Sequence, residues 1–302
     1  MENCIYKGKE ICTYDLKDKN HYYISELVEE WKLAASEGKL ICSECGQRVY
    51  LAAGPVMEPY FAHYDKQACP YGNLTESEEL KKGKRLLYSL LRKSFPKGEI
   101  HARYKMKNGM YSTCHVSNLE GSDIAIDYHL QHSSIGKFQE RDKYYKSSQI
   151  LPVYVLGINK SGKDNQISWY ENLIQKSIGL CVFLDVCDEE VLLKRSFDYK
   201  IGSLRKVRFY QKFYSMEDVM IDSKGSFVCD FMKECERIDL SIQEEKDRYE
   251  QTIRARNAIA LKMNDIRPDI LSTALECLKR GEGHLVSKRY MDYIMDINLL
   301  RN

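Results

Sequence analysis

This sequence lacks a long apolar run. None of its 302 residues belongs to a continuous apolar stretch of about 18 residues, the length that a membrane-spanning helix needs. Residues 1–20 likewise hold no apolar segment of the kind that marks a secretory signal. These absences exclude a membrane span and such a signal, so we expect a cytoplasmic protein with no membrane partner.

An excess of one charge sign is also missing. The chain has 46 Lys and Arg residues against 44 Asp and Glu residues, a formal net charge of +2. A nucleic-acid reader can still be locally basic, so this balance neither supports nor excludes DNA as a partner. Hydrophobic residues at 43% and charged residues at 30% are typical of a soluble globular protein. The length predicts about two domains.

The cysteine pattern lacks the character of a disulfide framework. The 11 cysteines are an odd number scattered over the whole chain, and in a reducing compartment such spacing argues against disulfides. Most of them are expected to be buried thiols, while those at ligand spacing need separate treatment. No internal repeat or low-complexity tract is present, so a repeat architecture is excluded as well.

One cysteine pair has metal-ligand spacing. Cys42 and Cys45 are separated by two residues on a predicted tight turn, and Gly46 fits that turn. His63 and Cys69 follow and would complete a tetrahedral Cys3His set. Four protein ligands leave no open coordination position, so the pattern predicts a structural zinc ion. The alternative interpretation is a pair of free thiols and a surface histidine.

Residues 76–157 predict the element order of a small α/β nuclease core. The order is helix, three strands, helix and strand, and the last strand is almost continuously apolar from Ile150 to Leu156, which indicates a buried position. The first helix is acidic at its start and basic afterwards. This charge distribution has two interpretations. In one, Glu79 lies at the mouth of a site and the Lys84 side chain contacts the phosphates of a bound ligand. In the other, the charges only complement the helix dipole.

A central run from Ser122 to Tyr145 carries two acids on a predicted strand. Asp123 and Asp127 point to the same face of a straight strand. At roughly 3.3 Å per residue they are about 13 Å apart, too far to share one ion without a bulge. The run is therefore either a site for metal-dependent phosphodiester cleavage, with Gln131 and Arg141 nearby, or an ordinary strand end.

The remaining sequence predicts a hairpin and a helical end. Residues 194–214 interleave cations with aromatic side chains, which suits a surface that binds a nucleic-acid backbone. The same residues fit a β-hairpin with a solvated cationic face. Residues 228–302 are predominantly helical, with breaks at Pro268 and at Gly281–Gly283. We expect this segment to pack on the core or on a protein partner.

Several short motifs occur in one order along residues 40–157. They are Cys42-x-x-Cys45, Phe61-Ala62-His63, Glu76-Ser77 with Glu79 and Lys84, Gln131-His132-Ser133-Ser134-Ile135, and Glu140-Arg141 with Tyr145. With these motifs the sequence resembles the CoiA-like competence proteins. The resemblance implies an α/β fold with a PD-(D/E)xK nuclease-like core at 73–220. A small zinc-binding module at 1–72 would precede this core, and a helical C-terminal extension at 221–302 would follow it.

The resemblance also implies residue roles. Glu79, Asp123, Asp127 and Gln131 would be catalytic, the acids would hold Mg²⁺ or Mn²⁺, and the DNA phosphates would contact the side chains of Lys84 and Arg141. The chain departs from the family pattern at Leu80, where the family usually has a histidine.

Two alignments of the central run compete. In one, Gln131 is the family glutamine, His129 occupies the glutamate position and Asp123 is the first acid. In the other, Asp127 replaces the glutamate and His129 replaces the glutamine. Imidazole is a poor substitute for an oxygen ligand of Mg²⁺, so either alignment weakens the expected site.

Three functional hypotheses follow. The first is a divergent metal-dependent DNA nuclease that acts in DNA uptake and recombination or in defence against foreign DNA. The second is a catalytically inactive nuclease-fold scaffold that binds DNA or a partner protein. The third is a zinc-stabilised regulatory protein without a nucleic-acid role.

Overall fold

The computed structural model describes most of the chain in two compact units. The described residues are 1–18, 22–54, 58–65, 69, 76–117, 121–131, 133–161, 166–264 and 266–296, without the side chains of 257–264 and 296. One unit comprises Met1–Ser196 and Arg208–Lys233, and the other comprises Phe197–Val207 and Glu234–Asn302. The division at 1–72, 73–220 and 221–302 stays a prediction.

The first unit begins with small elements around a modest core. They are β1 (Asn3–Tyr6), β2 (Lys9–Cys12), α1 (Ser25–Ser36), β3 (Val49–Ala52) and β4 (Tyr60–His63). The strands β1 and β2 pair antiparallel and form a hairpin. Trp31 of α1 packs near Phe61 of β4, with ring centroids 5.8 Å apart. The helix α1 begins at Ser25, and Ile24 occupies its N-cap position.

A seven-stranded mixed sheet is the centre of this unit. Its strands lie in the order β11-β10-β9-β8-β7-β6-β5, and β7, β8 and β9 are parallel to one another. The bounds are α2 (Glu78–Ser94), β5 (Glu99–Lys105), β6 (Tyr111–Ser117), β7 (Ile124–His129), α3 (Ile135–Ser147), β8 (Leu151–Gly157), α4 (Trp169–Ile178), β9 (Cys181–Asp185), β10 (Glu190–Ile201), β11 (Leu204–Ser215), β12 (Met220–Ile221) and β13 (Phe227–Val228). The element order predicted for 76–157 is confirmed.

Helices cover both faces of β7. Successive side chains of a strand point to opposite faces, and the two neighbours Asp127 and Tyr128 show which helix lies on each. The ring of Tyr128 lies against Gly83 of α2, whereas Asp127 bonds to Arg141 and Tyr145 of α3. Thus α2 packs on one face of the sheet and α3 on the other.

The contact between α2 and Tyr128 predicts an unusual glycine effect. Replacing a glycine inside a helix with alanine normally stabilises a protein by about 0.5–1 kcal/mol. A Cβ at Gly83 would collide with the Tyr128 ring, so we expect Gly83→Ala to destabilise by about 1–3 kcal/mol through overpacking. Gly136 near the start of α3 is the matched control, because its Cβ would meet nothing within 4 Å. Urea unfolding of both variants measures the effect, and a gain in stability for Gly83→Ala would contradict this packing.

The second unit contains the tip of the β10–β11 hairpin and most of the C-terminal helices. These helices are α5 (Phe231–Asn264), α6 (Pro268–Lys279) and α7 (Lys288–Asp296), so the predicted helical character of this segment is confirmed. Glu245 of α5 accepts hydrogen bonds from Tyr199 at 3.1 Å and from Lys206 at 2.6 Å. Among the described helices, none combines the length and hydropathy that crossing a membrane requires.

Candidate metal centre and acidic cleft

The four predicted zinc ligands converge in the N-terminal module. The ligand atoms of Cys42, Cys45, His63 and Cys69 all lie within 4.8 Å of one another. Local backbone geometry accounts for the first pair, because the N–H of Gly46 donates to the carbonyl of Cys42 at 3.0 Å. Gly46 has a φ of 71°, a conformation that favours glycine. The predicted convergence is therefore confirmed.

The chemistry of this donor set fits a metal such as zinc. His63 is 4% exposed, and Cys42 and Cys69 are each 1% exposed. Burial raises the pKa of Cys42 to about 11 and lowers the pKa of His63, which keeps its imidazole neutral. Burial opposes ionisation of Cys45, but hydrogen bonds from its neighbours hold its pKa below the usual value. Three sulfur atoms and one imidazole nitrogen form a soft donor set that zinc prefers.

Asp127 is sequestered inside the fold. It is 2% exposed, and its carboxylate accepts hydrogen bonds from Arg141 Nη1 and Tyr145 Oη, each at 2.8 Å. The same Arg141 nitrogen donates to the carbonyl of Tyr111 at 2.8 Å. The negative charge of Asp127 is thus neutralised within the chain, on the sheet face that α3 covers.

The other predicted residues of the central run lie apart from Asp127. Asp123 precedes β7 and its Oδ2 lies 3.2 Å from His115 Nε2, while Gln131 is exposed beyond the other end of the strand. His129, which ends β7, is half-buried, and burial lowers its pKa. His132 of the Gln-His-Ser-Ser-Ile motif lies outside the described residues. The structure therefore does not gather Asp123, Asp127 and Gln131 around one point.

Lys84 also has internal partners. Its side chain is 4% exposed and pairs with Glu2 and Glu76, so a DNA phosphate would have to displace both carboxylates. Its DNA-binding role stays a prediction that burial does not favour. Three cations of the predicted backbone-binding hairpin are paired as well, in Arg205–Asp198, Lys206–Glu245 and Lys212–Asp230.

Glu79 lies in a cleft with a volume of about 1050 Å³. The cleft borders the carboxyl ends of β8 and β9. Asn159 follows β8, and Asp185 is the last residue of β9. Such an edge of parallel strands is where open α/β sheets commonly bind ligands. Glu79 is on α2, across the sheet from Asp127. Sequence reasoning missed Asp185, although its place directly after the apolar run Leu180–Leu184 was a usable signal.

No second set of ligating groups converges as the cysteine and histidine cluster does. Within the part of the chain that the structure describes, Cys42, Cys45, His63 and Cys69 are the one group of three or more His, Cys, Asp or Glu side chains close enough to hold a metal ion together. The predicted acids Glu79, Asp123 and Asp127 form no such group.

Comparison with known families identifies the first module. Residues 25–72 match the family described as competence protein CoiA, N-terminal domain. The match extends from α1 past Cys69 and includes all four predicted zinc ligands, so the chain carries a CoiA-like N-terminal domain, and the resemblance is confirmed for the motifs within residues 25–72. This domain suggests a competence-related function. Neither a curated protein nor a solved structure matches the chain.

Proposed function

We propose that this chain, as a carrier of a CoiA-like N-terminal domain, serves a competence-related process as a DNA-binding scaffold of nuclease-type fold. In this proposal the N-terminal cluster holds a structural zinc ion, and the predicted acids do not cleave DNA. The observation that carries the proposal is the position of Asp127. It is neutralised by Arg141 and Tyr145 on the sheet face opposite the one that Glu79 flanks.

Phosphodiester cleavage of the predicted kind requires carboxylates that meet at one ion. The metal neutralises the phosphate and lowers the pKa of an attacking water molecule, and Mg²⁺ demands oxygen ligands at short range. Glu79 and Asp127 are separated by the sheet, and Asp127 already has a guanidinium partner at 2.8 Å. This arrangement favours the scaffold over the nuclease.

Exposed lysines near α3 support a DNA-binding role. Arg141 anchors α3 to the backbone of Tyr111 at the start of β6. Lys137 on α3 and Lys107 in the turn between β5 and β6 are both exposed. Lysines of this kind contact phosphates and make DNA affinity depend steeply on salt.

Labelled duplex and single-stranded DNA provide the test. We expect binding that weakens by about a hundredfold or more between about 50 and 200 mM salt, and no cleavage with Mg²⁺ or Mn²⁺. The double variant Lys107→Gln/Lys137→Gln should reduce the salt slope by about one to two units. Lys97→Gln is the matched control, because Lys97 is an exposed lysine in the turn between α2 and β5, at the other end of β5 from Lys107.

Each result separates the hypotheses. Mn²⁺-dependent cleavage that disappears in both Asp123→Ala and Glu79→Ala would contradict the scaffold and support a nuclease with the predicted residues. Absence of salt-sensitive DNA binding would contradict both and favour the zinc-stabilised regulatory protein. The protein partner expected for the C-terminal helices stays a prediction.

The second candidate function is the metal-dependent DNA nuclease, in DNA uptake and recombination or in defence. One observation favours it, namely that the half-buried Glu79 faces an open cleft and has no cationic partner within the described chain. It would need an ion-binding arrangement different from the one predicted on the central run.

A further inference from the structure

We propose that the N-terminal module binds single-stranded DNA by stacking unpaired bases on one exposed face of its two-stranded sheet, β3 and β4. This outer face comprises Arg48, Tyr50, Ala52, Tyr60, Ala62 and Tyr64. The site shares its class of ligand, DNA, with the proposed function, on which it rests in that respect, and it involves neither Lys107 nor Lys137.

The pairing of β3 with β4 divides their side chains between two faces. The residues on the inner face are Val49, Leu51, Phe61 and His63, each of them at most 7% exposed. Successive residues of a strand point to opposite sides, so their neighbours point away from this core. Tyr60 is 37% exposed and Tyr64 is 65% exposed, whereas Tyr50 is half-buried. The module therefore presents aromatic rings to the solvent.

The outer face lacks the polar side chains that the solvated face of an antiparallel sheet normally carries. Tyr50 lies opposite Ala62, and Tyr60 lies opposite Ala52. The rings of Tyr50 and Tyr64 lie with their centroids 5.1 Å apart. Tyrosines beside small alanines leave parts of their rings uncovered, and exposed apolar surface of this kind commonly marks a binding site.

The charge of the outer face suits a phosphate backbone. None of its residues is acidic, and its one cation, Arg48, is exposed directly before β3. The side chain of Arg48 packs against Gly38, where a Cβ would approach Nε to 2.9 Å. Among the described residues Arg48 has no carboxylate partner. Aromatic rings with an unpaired cation complement a ligand that has both flat bases and phosphates.

The border of the outer face toward the acidic cleft is compensated. Tyr60 also lines that cleft, and Glu58 precedes it by two residues. Glu58 is paired with Lys17 at 3.0 Å and with Arg85 at 2.6 Å. These two cations offset the carboxylate that is nearest to Tyr60 in the sequence, so it does not repel a phosphate at this end.

The candidate metal cluster holds the backbone of the outer face. His63 is the last residue of β4, and Tyr64 follows it directly. The Nε2 atom of His63 lies 3.3 Å from the Sγ atom of Cys45. An ion bound by these groups would fix the position of Tyr64 before a ligand arrives. Groups that are already ordered lose less entropy on binding, so the cluster favours stacking on this face.

The spacing of the tyrosines selects unpaired bases. Tyr50 and the position opposite Tyr60 are two residues apart on β3, which corresponds to about 6.6 Å along the strand. Neighbouring bases of a duplex repeat at about 3.4 Å and offer their edges in the grooves. A base lies flat on a tyrosine only when it has left its own stack, which a single strand permits.

Binding of a fluorescent oligothymidylate of about 15 nucleotides to the full zinc-loaded chain tests the outer face. We expect Tyr60→Ala and Tyr64→Ala each to weaken binding by about tenfold. The Tyr60→Phe and Tyr64→Phe variants should bind like the wild-type chain, because the ring stacks and the hydroxyl does not. Tyr249→Ala is the matched control, because Tyr249 is a 40% exposed tyrosine of α5 outside the module.

Salt dependence separates stacking from ion pairing. The alanine variants of Tyr60 and Tyr64 should lower the affinity at every salt concentration and leave the salt slope unchanged. Arg48→Gln should instead reduce the slope by about 0.7 units, the value for one phosphate contact of a single strand. Photo-cross-linking of an oligonucleotide that contains iodouracil, analysed by mass spectrometry, should modify peptides that carry Tyr60 or Tyr64.

Four results would each overturn the site. They are absence of single-strand binding by the wild-type chain, unchanged binding in Tyr60→Ala/Tyr64→Ala, an equal loss in Tyr249→Ala, and a loss in the phenylalanine variants as large as in the alanine variants. Circular dichroism and zinc content establish that each variant is folded. Self-association that disappears in the double alanine variant, with DNA binding unchanged, would overturn the DNA site and make the face an interface between copies of this chain.

Failure of this site and failure of the proposed scaffold are distinguishable. Single-strand binding that depends on the two tyrosines, without salt-sensitive duplex binding, would refute the lysine surface and support the outer face. Duplex binding that depends on Lys107 and Lys137, with unchanged single-strand binding in both alanine variants, would support the scaffold and refute the outer face.

Discussion

Replacing Cys42 with serine is expected to release the metal ion and unfold the N-terminal module. The four candidate ligands are drawn from a turn, from the end of β4 and from the segment beyond it, so a bound ion would connect parts of the module that share only a small apolar core. Structural zinc contributes on the order of 10 kcal/mol to the folding of small domains. Loss of the Cys42 thiolate leaves three ligands, two of which are cysteines, and that contribution is forfeited.

The zinc content and thermal unfolding of the variant measure this effect. Cys187→Ser is the matched control, because Cys187 is exposed and lies outside the cluster, and it should retain about one zinc per chain. A chelator should reproduce the unfolding of Cys42→Ser in the wild-type chain. A metal-free protein that unfolds at the same temperature as the zinc-loaded one would rule out a structural role for the cluster.

The ligands of this cluster were predictable because their signal is local. Cys42, Cys45 and Gly46 specify a turn through spacing and backbone freedom, and His63 ends a short strand that pairs with β3. The order of helices and strands between residues 76 and 157 was predictable for a related reason. Hydrophobic periodicity and turn residues act over a few positions, and they identify element type without knowledge of the tertiary contacts.

The acids were harder to place because their environment depends on distant elements. Strand alternation indicates which residues share a face with Asp127, but not that α3 covers that face and supplies Arg141 and Tyr145. Glu79 lines the cleft only because α2 packs beside it, and Asp185, which lines the same cleft, comes from a strand about a hundred residues later. Propensity and spacing carry no information on such contacts, so the cleft emerged from the fold and not from the motifs.

Asp127→Ala is expected to destabilise the protein by about 3 kcal/mol or more. Removing one partner of a buried ion pair leaves the other charge uncompensated. Here the side chain of Arg141 is only 22% exposed and that of Asp127 is 3% exposed. The variant also leaves the buried hydroxyl of Tyr145 without its acceptor, which adds a desolvation cost. Urea unfolding measures the change in the free energy of unfolding.

Asp123→Ala is the comparison variant, because Asp123 belongs to the same run but its side chain is 40% exposed, and its ion-pair partner among the described residues is His115. The variant leaves the buried imidazole of His115, which is 1% exposed, without this hydrogen bond, so it should cost about 1–2 kcal/mol. Tyr145→Phe, which removes one hydrogen bond to Asp127 and keeps the ion pair, should cost about 1 kcal/mol. A larger cost for Asp127→Ala than for either of these variants tests whether Asp127 is a structural residue. A chain that loses Mn²⁺-dependent cleavage in Asp127→Ala while keeping wild-type stability would instead make Asp127 a metal ligand and refute the scaffold.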